Sequence, residues 1–101
     1  MLDKEIVKSL EKIIFKYINP KDYEVFVFGS RVNGNPREFS DIDIGIEGKI
    51  PLNSAKKYNI INDLEESDIP YLGDIVDFTK VDTGFYHLAK VNILYITPSH
   101  E

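Results

Sequence analysis

The chain of 101 residues contains no cysteine and no tryptophan. Without cysteine it cannot form disulfide bonds, thiolate zinc sites or a cysteine nucleophile. It also lacks long apolar runs: Ile93 to Ile96 is among the longest, whereas a membrane-spanning helix needs about 20 apolar residues. Its N-terminus carries no apolar signal segment, so we expect a protein of the reducing cytoplasm that has no membrane partner.

The chain also has fewer basic than acidic residues. The chain has 12 lysine and arginine residues against 17 acidic residues, a formal net charge of −5. Binding to a long nucleic acid depends on cationic side chains that neutralise phosphates, so we expect no such partner. A small phosphate ligand remains compatible with this composition, because a divalent metal ion can supply the positive charge.

Periodic segments separated by glycine and proline predict one domain over residues 1–101, with no repeat or linker. Its order of helices and strands predicts an α/β (α+β) fold with a small mixed β-sheet flanked by helices. The predicted helices cover 2–18, a segment from Asn53 or Ser54 to about 66, and 83–90. The predicted strands cover 23–28, 41–47, a segment centred on 74–78, and 93–96.

Two carboxylates share one face of the second predicted strand. Asp41 and Asp43 alternate with isoleucines, so they point the same way while the isoleucines face the core. Two carboxylates about 5 Å apart repel by roughly 3 kcal/mol. A bound cation or protonation of one carboxylate would offset this repulsion, and oxygen ligands favour Mg²⁺ or Mn²⁺. The alternative is the solvated face of an edge strand. A calcium loop is excluded because Ile46 stands where its turn glycine belongs.

A glycine turn directly follows the first predicted strand. Gly29 would let the backbone approach a phosphate closely, and the Ser30 hydroxyl could donate a hydrogen bond to it. The segment lacks the Gly-Lys-Ser/Thr ending of a P-loop, and its glycines do not match the dinucleotide-binding fingerprint. A plain turn between a strand and a helix is the alternative for the glycines alone.

Taken together, Gly-Ser-Arg-x-x-Gly-x-x-x-x-x-Ser-Asp-x-Asp-apolar, from Gly29 to Ile44, resembles the signature of the polymerase-beta-type nucleotidyltransferase superfamily. The small size and the Gly-Ser-Arg form are similar to its minimal nucleotidyltransferase (MNT) branch. The resemblance implies a nucleotidyltransferase catalytic core in which Gly29 and Ser30 hold the triphosphate of a nucleotide. It implies further that Asp41 and Asp43 bind two Mg²⁺ ions.

The remaining residues of the motif receive secondary roles from the resemblance. Arg31 contacts phosphate or braces the turn. Ser40 belongs to the same binding segment, although its simpler role is to fix the start of the second strand. Asn33 stands at a position that is often basic in the family, so one phosphate-facing cation is missing here.

The family also uses a third carboxylate from a later strand, for which Asp74 and Asp77 are candidates. They are three residues apart and face opposite sides of a regular strand. The family pattern of apolar and acidic residues favours Asp74 as the catalytic residue and metal ligand. Asp77 is the second candidate. Gly73 departs from that pattern, and the pairing of this strand with Asp41 and Asp43 is not visible in the sequence.

The activity implied is Mg²⁺-dependent transfer of AMP from ATP to a hydroxyl of a partner protein, with Asp41, Asp43 and Asp74 as catalytic residues. Within the MNT family the implied partner is a helical HEPN ribonuclease toxin, which this chain would neutralise as the antitoxin. One alternative is a non-catalytic, nucleotide-binding antitoxin that blocks its partner by contact. A less favoured one is a transferase acting on a small-molecule acceptor.

Four aromatic residues near the C-terminal half are expected to pack in the core, with a base-stacking wall as the alternative: Tyr71, Phe85, Tyr86 and Tyr95.

Overall fold

The computed structural model describes residues 4–29, 41–70 and 73–96. Its helices are α1 (Lys4–Ile14), α2 (Ser54–Glu65) and α3 (Thr83–Ala89), and none of the helices in these ranges could span a membrane. Its strands are β1 (Tyr23–Phe28), β2 (Ile42–Gly48), β3 (Gly73–Asp77) and β4 (Leu94–Tyr95). Five residues singled out in the sequence lie outside the described residues: Ser30, Arg31, Asn33, Ser40 and Tyr71.

The strands form one sheet in the order β3-β2-β1-β4. β1 pairs antiparallel with both β2 and β4, whereas β2 pairs parallel with β3. A parallel pair needs a crossover connection, and α2 lies in the segment that joins β2 to β3. The predicted mixed α+β architecture is therefore confirmed.

The main core lies on one face of the sheet. Ile42, Ile44 and Ile46 of β2 are fully buried there, as their alternation with polar residues predicts. The valines of β1 and the apolar faces of α1 and α2 complete this core, which includes Leu10, Ile14, Val25, Val27, Ile60 and Leu64.

The opposite face carries a second, aromatic cluster formed by Phe26, Phe28 and Phe78, against which α3 packs through Tyr86. The ring centroids of Phe26 and Phe78 lie 4.8 Å apart in an edge-on arrangement, which aromatic pairs favour. Gly45 of β2 leaves room for these rings, since a Cβ atom there would overlap Phe26 and lie 2.7 Å from Phe78 Cε1.

A polar contact holds α3 and the residue after it against β2. The Tyr86 hydroxyl donates to Glu47 Oε2 over 2.6 Å, and Lys90 Nζ donates to Glu47 Oε1 over 2.9 Å. Burial raises the pKa of Glu47, but the hydrogen bonds from Tyr86 and Lys90 and the lysine charge outweigh it and lower the pKa overall. Glu47 is therefore ionised near neutral pH and fastens this helix to the sheet.

Two helix boundaries can be compared with their predictions. α1 ends at Ile14, not at Ile18 as predicted, because the chain tightens into a turn in which Tyr17 N donates to Ile14 O over 3.0 Å. Ile18 nevertheless remains buried. Asn53 is the cap of α2, since its side chain accepts hydrogen bonds from the backbone amides of Ala55 and Lys56.

We expect Gly45→Ala to lower the free energy of unfolding by about 1–3 kcal/mol, because the added methyl group overpacks the aromatic cluster. Gly84→Ala is the matched control: among the described residues its Cβ would meet only Asp82 Oδ1, at 3.3 Å, and alanine favours the helix. Urea unfolding of both variants measures the difference. Equal, small effects would show that the aromatic face is loosely packed.

Candidate active site

Gly29 and Asp43 meet at the end of β1. Gly29 follows β1 directly and has a φ of 82°, in the left-handed region that glycine tolerates best. Phe28, the last residue of β1, pairs with Asp43 across the sheet. A Cβ atom at position 29 would overlap Asp43 Oδ2. Both the backbone conformation and the lack of space therefore require glycine beside this carboxylate.

The charges of two other carboxylates act on Asp43 at this end of the sheet. Asp43 is in register with Asp74 across the parallel pair of β2 and β3, so both point to the same side from strands about 4.8 Å apart. Asp41 lies two residues before Asp43 and directly precedes β2. Burial, then the charge of Asp74 and then that of Asp41 raise the pKa of Asp43. A bound cation would favour the charged form of Asp43 and so offset the combined effect on its pKa.

Asp77 lies on the other side of the sheet and anchors a loop. It pairs with Ile46, whose side chain is in the main core. Its Oδ2 accepts a hydrogen bond from Leu52 N over 2.8 Å, and its Oδ1 accepts from Thr79 N and Oγ1 over 3.0 and 2.7 Å. Burial raises the pKa of Asp77, but the hydrogen bonds from Thr79 and Leu52 and the charge of Lys80 lower it below its usual 3.8.

The chemistry of these oxygens fits Mg²⁺. The described parts of the chain hold no group of three acidic or histidine side chains close enough to enclose a metal ion. Mg²⁺ in phosphate-transferring sites is commonly held by one or two carboxylates together with substrate phosphates rather than by an all-protein cage. Asp41, Asp43 and Asp74 therefore suit an ion that arrives with a nucleotide.

The structure thus brings together four of the residues singled out in the sequence: Gly29, Asp41, Asp43 and Asp74. Next to them lies a feature that sequence reasoning missed, a cavity of about 420 Å³ between the end of β1 and residues 85–92. Leu88, Val91 and Asn92 line it with Phe28 and Phe85. The signal in the sequence was Phe85, for which core packing was expected and a base-stacking wall was the alternative; its side chain is 38% exposed.

The sequence profile of the family described as polymerase beta nucleotidyltransferase matches residues 4–97. The chain belongs to this nucleotidyltransferase family. It is 32% identical over 87 residues to the probable protein adenylyltransferase MntA of Haemophilus influenzae, a match that covers 83% of this chain and 76% of that protein.

Solved structures share the fold of this nucleotidyltransferase. A chain of a toxin–antitoxin complex with AMP-PNP aligns with a TM-score of 0.74 and 21% identity, covering 89% of this chain and 71% of that one. A chain of the complex between the tri-AMPylated HEPN toxin of Shewanella oneidensis and its MNT antitoxin aligns with a TM-score of 0.59 and 19% identity, with the same coverages. These likenesses establish the nucleotidyltransferase fold.

We expect Asp77→Ala to cost about 1–3 kcal/mol of stability at pH 7, because it leaves the amides of Leu52 and Thr79 unpaired. Since folding lowers the pKa of Asp77, its contribution is present above the unfolded pKa of about 4 and is lost as the pH falls through the folded value. The difference in free energy of unfolding between Asp77→Ala and the unmodified protein should therefore become smaller near pH 3. Urea unfolding at both pH values measures it.

Asp74→Ala is the matched control for this prediction. It removes an exposed carboxylate that repels Asp43, so stability should stay unchanged or rise slightly. A loss as large as that of Asp77→Ala would contradict the division between a site carboxylate and a loop anchor.

Proposed function

We propose that this nucleotidyltransferase transfers AMP from ATP to a hydroxyl group of a partner protein in a Mg²⁺-dependent reaction. The observation that carries the proposal is the convergence of Gly29, Asp43 and Asp74 at one end of the sheet. The similarity to MntA, which is named as a protein adenylyltransferase, supports AMP as the transferred group. The reaction takes place in the cytoplasm, where ATP and Mg²⁺ are available.

Each residue has a separate part in this reaction. Gly29 and Ser30 bind the triphosphate, with Arg31 and Ser40 in the same segment, while Asp41 and Asp43 would hold the Mg²⁺ that accompanies the phosphates. Mg²⁺, when bound by these aspartates and Asp74, would offset the charge on the leaving pyrophosphate and lower the pKa of the acceptor hydroxyl.

Asp74 is exposed at the rim of the cluster, where it can accept the proton of the acceptor hydroxyl. The acceptor oxygen forms a bond to the α-phosphorus as the bond to pyrophosphate breaks, so the AMP group moves to the partner. The accepted proton then passes from Asp74 to solvent.

The proposed partner is a HEPN toxin, with this chain as its antitoxin. Two structural relatives come from toxin–antitoxin complexes, and in one of them the HEPN toxin carries AMP groups. An AMPylated toxin in complex with an MNT antitoxin is the expected product of the reaction proposed here.

The test uses ATP labelled on its α-phosphate, the purified chain, Mg²⁺ and the HEPN protein of the same organism. We expect Asp43→Asn and Asp74→Asn each to reduce labelling of the partner by about 100-fold or more, because metal and proton handling are lost. Asp77→Asn, which changes a carboxylate on the opposite face, should retain most labelling. Binding of the HEPN protein without any labelling would instead support an antitoxin that blocks by contact.

We also expect Gly29→Ala to reduce labelling at least about tenfold, because the methyl group displaces the Asp43 carboxylate and strains the turn. Gly84→Ala, in α3, controls for the general effect of an added methyl group. Full labelling by the Gly29 variant would show that the turn does not position the site.

A further inference from the structure

The end of the sheet opposite the candidate active site carries a group of lysines. β1 starts beside Gly48 and ends beside Asp43, and a rise of about 3.3 Å per residue places these two ends roughly 17 Å apart. The carboxylates of the candidate active site lie where β1 ends. Near its start lie three lysines from separate segments: Lys21 before β1, Lys49 after β2 and Lys56 in the first turn of α2.

These lysines line a cavity of about 380 Å³, the lysine cavity. Asp22, Tyr23 and Ile50 complete its lining. The formal charge of the lining is +2, from three lysines against one aspartate, in a chain whose net charge is −5. None of the three lysines forms an ion pair with another residue in the described ranges. Their positive charges are therefore not neutralised within this part of the chain.

The backbone from which the lysines extend is held in place before a ligand binds. The ring of Tyr23 lies against Gly48, where a Cβ atom would overlap it, and the Tyr23 hydroxyl donates to Pro51 O over 3.5 Å. The side chain of Asn53 accepts hydrogen bonds from two amides of the first turn of α2, one of them that of Lys56. Because these amides are already paired, the positive charge of the cavity comes from side chains rather than from the helix end.

We propose that the lysine cavity binds a small oligophosphate without a metal ion. Lysine is a common binder of phosphate, which it meets as a compact point charge. An oligophosphate carries several negative charges along its length, so it can contact ammonium groups from three segments at once, whereas a single carboxylate cannot. The volume of about 380 Å³ lies within the range of small-molecule pockets.

The lysine cavity and the candidate active site should differ in their need for a metal ion. The carboxylates around Asp43 repel phosphate, so phosphates can approach them only together with a cation. The lysine cavity supplies its own positive charge, and a metal ion bound to the phosphates would weaken their attraction to it. The proposal therefore does not depend on the proposed function.

The test measures binding of tripolyphosphate to the full chain by calorimetry, with EDTA present to remove divalent cations. We expect binding that weakens as salt is added. Lys49→Gln combined with Lys56→Gln should weaken it about tenfold or more, because two of the three positive charges are lost. Lys8→Gln combined with Lys12→Gln, on the exposed side of α1, is the matched control: it changes the net charge equally and should leave the affinity unchanged.

The proposal is overturned if the unmodified chain does not bind tripolyphosphate without Mg²⁺, or if the cavity variant binds it equally well. Equal weakening in both double variants would indicate general attraction to surface charge and would also overturn it. Tighter binding of a glutamate-rich peptide, with the same dependence on Lys49 and Lys56, would assign the cavity to an acidic partner protein instead. Asp43→Asn should not alter this binding, and a changed affinity would place the ligand at the candidate active site.

Discussion

The two-residue period of β2 is the constraint on which the rest of the structure depends. Its isoleucines fill the main core on one face, which obliges the intervening residues to face the other way. There Asp43 enters the carboxylate cluster, Gly45 makes room for the aromatic rings, and Glu47 fastens α3. A shift of one residue in register would exchange the two faces, so the core and the site cannot vary independently.

The parallel pairing of β2 and β3 separates two chemically identical side chains. Asp74 lies in register with Asp43 and remains exposed, whereas Asp77 turns towards Leu52 and Thr79 and is fully engaged by hydrogen bonds. Asp74 lies near other negative charges, which repel it. Asp77 accepts hydrogen bonds from donors that stabilise its negative charge. The two sides of the sheet therefore affect carboxyl groups differently. Burial and neighbouring charges raise the pKa of Asp43, whereas hydrogen bonds lower the pKa of Asp77.

An acidic chain that handles a polyanionic nucleotide needs positive charge from elsewhere. The carboxylates around Asp43 create a demand for a cation, which the metal-bound form of ATP would meet under the proposed function. The cavity beside Gly29 then offers what the carboxylates lack, an apolar surface against the aromatic face of the sheet. In the proposed arrangement, Asp43 and Gly29 receive the phosphates, while Asp74 faces the acceptor.

Local patterns in the sequence determined the order of helices and strands, the α+β class and the motif that places Gly29 and Asp43 in the nucleotidyltransferase family. These features follow from spacing along the chain. Which of Asp74 and Asp77 lies beside Asp43 depends on how β3 pairs with β2, and this pairing involves residues far apart in sequence. The cavity likewise exists only because the packing of α3 leaves Leu88 exposed beside the end of β1. Only the tertiary structure decided these two features, because both arise where separate segments meet.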